Sequence, residues 1–123
     1  MYTTANGVST GQAQEYYPGA QGQPEVKVDA VLRDAERILR RLAPPPDTDD
    51  AGELERYRQA AADCELRLFE YLFETRGYIS GQRSIVGSSI NFAQSPAVAE
   101  IVRQSMGEYA GDSVAYISRW PVP

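Results

Sequence analysis

The chain has 123 residues, with 17 acidic against 12 basic side chains and no histidine. That length allows one modest core. The acidic balance argues against a general nucleic-acid binder, which carries a basic face, and the missing histidine removes the usual general base, the common triads and the common zinc sites.

Residues 1–24, MYTTANGVSTGQAQEYYPGAQGQP, carry Glu15 as their one charged side chain. Their few large apolar groups are too little to offset backbone ordering, so the composition predicts a flexible N-terminal arm. Tyr2, Tyr16 and Tyr17 are its candidate partner contacts, because tyrosine offers a large contact at low entropic cost.

Residues 25–43 have helical periodicity. Val28, Val31 or Leu32, Ala35, Ile38 or Leu39, and Leu42 form the apolar stripe. Arg33, Asp34, Arg37, Arg40 and Arg41 take much of the rest, and the last two suit the negative end of the helix dipole. Three prolines at 44–46 break the helix. A linker this short makes the flanking helices antiparallel neighbours.

Residues 50–76 form the long central helix. Leu54, Tyr57, Ala61, Cys64, Leu68 and Tyr71 or Leu72 share one face. Asp50 with Glu53 three residues later makes a capping-box pattern, and Gly77 is a natural stop. Asp47, Asp49 and Gly52 imitate half a calcium loop, but Ala51 and Arg58 stand where ligands belong, so capping is the better reading. Cys64 lies on the apolar stripe and reads as a small core residue. A single cysteine forms no disulfide within the chain and fits a reducing compartment.

In residues 77–94 the period changes. Gly87-Ser88 between two β-branched runs predicts a small β-hairpin or a loop excursion, with Ile85, Ile90 and Phe92 as its contacts. Ser95 and Pro96 open a third helix over 95–111, with Val98, Ile101 or Val102, Met106 and Tyr109 along its apolar face. Gly107 weakens that helix and admits a close backbone approach; Gly111 ends it. Residues 112–123 read as an extended C-terminal docking tail. Its partner contacts are Val114, Tyr116, Ile117, Arg119 and Trp120, and Pro121 and Pro123 stiffen its end.

The expected fold is mainly α: a three-helix antiparallel bundle over 25–111, with extended arms at both ends. No phosphate loop or nucleophile elbow is present, and Lys27 is the only lysine. Glu70 and Glu74 share a helix face beside Arg67, but di-metal bundles of that kind add a histidine. The sequence points away from an enzyme, so no catalytic residue, metal ligand or cofactor is assigned. No apolar run resembles a signal peptide or reaches the ~20 residues that span a bilayer.

The element order, the run AAADCELRLFEYLFETRGY, the Ser/Gly-rich excursion and the closing Met106-Gly107-Glu108-Tyr109 step carry a resemblance. Over residues 28–118 the chain resembles the small helical head–tail connector (adaptor) proteins of long-tailed bacteriophages. The Gly/Gln/Tyr arm and the triple proline depart from that pattern. The resemblance implies a structural virion protein made in the host cytoplasm. Copies would form a ring of about twelve beneath the portal, joining capsid to tail. The C-terminal tail would dock on the portal, and the next neck or tail protein would bind below. DNA would pass through without specific binding, which an acidic chain suits. The alternatives are a cellular helical interaction module, or another minor capsid or tail-completion protein.

Overall fold

The computed structural model describes residues 1–76 and 96–111. Among these lie four α-helices: α1 (Thr10–Tyr16), α2 (Glu25–Leu42), α3 (Ala51–Arg76) and α4 (Pro96–Met106). Short 3-10 turns occupy Pro18–Ala20 and Gly107–Tyr109. The described residues are thus mainly α, and their one β feature is an isolated bridge between Thr3 and Ser9. The expected hairpin or loop excursion and the expected docking tail lie outside the described residues.

Helix boundaries follow from local chemistry. The Pro24 carbonyl accepts from the amides of Lys27 (3.0 Å) and Val28 (3.2 Å), starting α2. The Ala43 amide closes its last turn on the Leu39 carbonyl at 2.7 Å, and the prolines stop it there. Asp50 Oδ1 caps α3 by accepting from the amides of Gly52 (2.8 Å) and Glu53 (3.3 Å). The Asp50 amide donates to Thr48 Oγ1 at 3.1 Å, the position that the capping box gave to Glu53.

α3 packs against α1, α2 and α4. Its buried residues include Tyr57, Ala61, Cys64, Leu68 and Leu72 from the expected stripe, and also Phe69 and Phe73. A helix touched by three others buries a wider arc than a single stripe, which is why the two phenylalanines join the core. Facing them are Val28, Val31, Leu32, Ala35, Ile38, Leu39 and Leu42 of α2, and Val98, Ala99, Val102 and Met106 of α4.

Leu54 departs from expectation, with 39% of its surface exposed. The Tyr57 hydroxyl donates to the Ala43 carbonyl at 2.6 Å, so α3 meets the end of α2 at Tyr57. Leu54 lies a turn beyond that cover. Ile101 is likewise only half-buried.

The two glycines flanking the last turn exchange their expected roles. Gly107 sits at φ +55°, where a side chain is strained, and a Cβ there would meet nothing within 4 Å. It is therefore the left-handed residue that ends α4. Gly111 makes the close approach. Its amide donates to the Leu42 carbonyl at 3.0 Å, and a Cβ there would lie 3.3 Å from that oxygen.

The flexible-arm reading of residues 1–24 is corrected. Thr4, Val8, Thr10, Ala13 and Ala20 are buried, and α1 packs on both α2 and α3. Apolar content alone underestimated the segment, because polar groups of the helices bind it.

Candidate functional site

The first seventeen residues fold through their own short-range hydrogen bonds. The Thr4 amide donates to the Val8 carbonyl at 2.8 Å, and the Thr10 amide to the Tyr2 carbonyl at 3.0 Å. Ser9 then caps α1 in a full capping box: its Oγ accepts from the Gln12 amide, and Gln12 Oε1 accepts from the Ser9 amide at 2.9 Å. The result is a strap that turns back on itself and lies over α2 and α3.

Beneath the strap sit carboxylates. Glu65 of α3 is fully buried and accepts from Thr4 Oγ1 (2.6 Å) and Asn6 Nδ2 (2.8 Å). Glu36 of α2 accepts from the Tyr2 hydroxyl and from the Ala5 amide (2.7 Å), with Arg40 3.6 Å away. Arg58 of α3 donates to the Asn6 carbonyl at 3.0 Å. At the front of the strap, the terminal amine of Met1 pairs with Glu25 and lies 3.5 Å from Asp29, which also accepts from Thr10 Oγ1. Asp34 is buried with Arg37 3.5 Å away.

Burial raises the Glu65 pKa above the ordinary carboxylate range, and the Glu36 charge adds to it; donation from Thr4 and Asn6 opposes the shift. Because the folded state holds this proton more tightly than the unfolded chain, the group favours folding at low pH. That contribution is lost as pH rises through the elevated value. Glu65→Gln should therefore flatten the stability profile on the alkaline side of the usual carboxylate range. Denaturation midpoints of both proteins across that range test this, and parallel profiles would refute it.

Burial pushes the Cys64 thiol up to about 12, so it is held protonated and unreactive. Tyr57 is pushed up to about 12 by burial, with the Glu65 charge adding to the effect. The carboxylates serve as acceptors for the strap. Among the described residues, no group of three or more His, Cys, Asp or Glu side chains is placed to hold a metal ion. No helix among them is long and apolar enough to cross a membrane.

The three tyrosines singled out in residues 1–24 separate. Tyr2 is half-buried, its hydroxyl on Glu36 and the Arg33 guanidinium 4.7 Å from its ring centroid. Tyr17 packs within the chain, 6.0 Å from Phe73 between centroids. Both therefore make contacts inside the molecule. Tyr16 alone faces outward, 42% exposed, and lines a shallow groove of about 460 Å³ with Arg67, Glu70, Tyr71, Glu74 and Ile101. The remaining candidates lie outside the described residues: Ile85, Ile90 and Phe92 of the excursion, and Val114, Tyr116, Ile117, Arg119 and Trp120 of the tail.

The buried acids were not singled out from the sequence, although a signal was present. Glu65 follows Ala61 by four residues and precedes Phe69 by four, so it falls on the buried face of α3. An acid at such a position must find donors, and here Thr4 and Asn6 supply them. No family model, curated protein or solved structure matches the chain.

Proposed function

We propose that the chain is a structural subunit of a virion, a head–tail connector whose copies form a ring beneath the portal of a long-tailed bacteriophage. The body is read as a three-helix antiparallel bundle of α2, α3 and α4, braced by the N-terminal strap. The observation that carries the proposal is the clamp of Gly111 on the Leu42 carbonyl. Tyr109 reinforces it by standing edge-on to Tyr57, 5.4 Å between ring centroids. Gly111, the root of the proposed docking segment, is thus fixed to the body. Fixing that root lowers the entropy lost when the segment docks. In this reading Val114, Tyr116, Ile117 and Trp120 bury on the portal, and Arg119 pairs with an acid there. The acidic body lets DNA pass through the ring without adhering.

Truncation after residue 111 tests the proposal. The full chain is expected to bind the purified portal ring of the same phage in sedimentation. The truncated chain should keep its helicity and melting temperature and fail to bind. Unfolding on truncation would assign the tail to the chain's own core. Failure of the full chain to bind the portal would reject the connector reading in favour of a cellular interaction module or another virion part.

A further inference from the structure

The groove beside Tyr16 and the outer face of α2 are complementary in charge. Asp34 and Glu36 are buried, and Asp29 is engaged by Met1 and Thr10. The acids of α2 therefore turn inward or toward the strap, and its arginines face out. Arg33, Arg37, Arg40 and Arg41 are all exposed. They fall on one side of the helix, since spacings of three, four, seven and eight residues return to the same face. Arg37 and Arg40 lie 3.5 and 3.6 Å from their buried acids and keep side-chain exposures of 55% and 66%. Their guanidinium groups thus remain available to a second acceptor.

The groove offers the opposite chemistry. Among the described residues its one cation is Arg67, which is engaged by Asp63 at 3.1 Å. Glu70 and Glu74 then dominate its charge, over an aromatic and aliphatic floor of Tyr16, Tyr71 and Ile101. A guanidinium suits such a place twice over, by pairing with carboxylates and by stacking on tyrosine.

We propose that the groove's occupant is a second copy of this chain, whose α2 arginines, Arg37 and Arg41 foremost, enter between Glu70 and Glu74. The two surfaces differ, so the contact is head-to-tail: each copy offers its arginine face to one neighbour and its groove to the other. Repeated with rotation, such a contact closes a ring. The inference rests on the connector reading and names the surfaces that would join neighbouring subunits.

Charge exchange between two variants of the full chain tests it. In Glu70→Lys/Glu74→Lys, groove and α2 face are both basic. In Arg37→Glu/Arg41→Glu, both are acidic. The wild type is expected to self-associate in sedimentation velocity at low salt, and less so as salt rises. Either variant alone should associate about tenfold more weakly or worse, and their equimolar mixture should recover to within about threefold of wild type, because every junction in an alternating assembly is again complementary. Should Arg37→Glu disturb its partner Asp34, detected as a lowered melting temperature, Arg41→Glu mixed with Glu74→Lys makes the same comparison. Wild-type monomers at every concentration, variants that associate like wild type, or a mixture that does not recover would each overturn the proposal. Portal binding is measured separately. Portal binding by variants that still self-associate would overturn this contact and leave the connector reading standing. Recovery in the mixture without portal binding would uphold the contact and overturn that reading.

Discussion

Deleting residues 1–9 is expected to destabilise the body by about 3 kcal/mol or more, although composition marks them as dispensable. Three losses combine. Val8 no longer buries its side chain, a contribution of about 1.5–3 kcal/mol. Ser9 no longer caps α1, at a cost of about 1 kcal/mol. Glu65 and Glu36 lose the donors supplied by Thr4, Asn6, Tyr2 and the Ala5 amide. Because the deletion also uncovers the helix face beneath the strap, water replaces those donors, and this third loss adds less than the ~1–3 kcal/mol of a carboxylate left buried and unpaired. Urea denaturation of the shortened chain measures the sum, and a change below about 0.5 kcal/mol, the range of ordinary surface substitutions, would show the strap to be unimportant. A finer probe is Thr4→Val, which keeps the shape and removes one donor to Glu65. It should cost about 1–3 kcal/mol. Hydrogen exchange gives an independent reading: the amides of Thr4, Thr10 and Ala13, each bonded to a backbone carbonyl, should be protected in the free protein.

The strap also marks where sequence reasoning fell short, for a physical reason. Helices α2, α3 and α4 were legible because each carries its own evidence: apolar spacing, a start signal such as Asp50 or Ser95-Pro96, and a stop such as the triple proline. These are local features. Residues 1–9 have no such pattern. They are ordered by partners as much as 61 residues away, as in the bond from Thr4 to Glu65. Neither half of that contact declares the other. Thr4 reads as a loop residue and Glu65 as one more acid in an acidic helix. What was readable is that Glu65 shares a face with Ala61 and Phe69. A charge there demands donors from elsewhere in the chain. The candidate site divides similarly. The tyrosines were chosen as partner contacts for their large contact area, but the direction each takes depends on tertiary neighbours. Arg33 and Glu36 draw Tyr2 inward, Phe73 takes Tyr17, and only Tyr16 is left at the surface. The groove it lines joins residues of α1, α3 and α4, and such a juxtaposition has no trace in the spacing of any one helix.

A pair of alanine substitutions in α3 separates what the apolar stripe implied from what three-sided packing imposes. Leu54 belongs to the stripe, whereas Phe69 follows Leu68 and sits off its centre. Periodicity alone ranks Leu54 the more important. Packing reverses the order. Phe69 is fully buried, with its ring centroid 5.1 Å from that of Phe73, which in turn meets Tyr17 at 6.0 Å. Phe69→Ala removes a whole ring from a region where α1 and α3 meet. It should cost about 3–5 kcal/mol, because the lost transfer energy adds to an unfilled cavity and to the loss of a ring pair. Leu68→Ala, at a fully buried residue of the stripe, should cost about 2–5 kcal/mol. Leu54→Ala should cost about 1 kcal/mol or less, since 39% of that residue's surface is already exposed and little apolar area is lost. Urea midpoints of the three variants at unchanged m-value decide the matter. A Leu54→Ala loss equal to that of Phe69→Ala would mean that the end of α3 beyond Tyr57 is covered and that the core extends further than the helices place it.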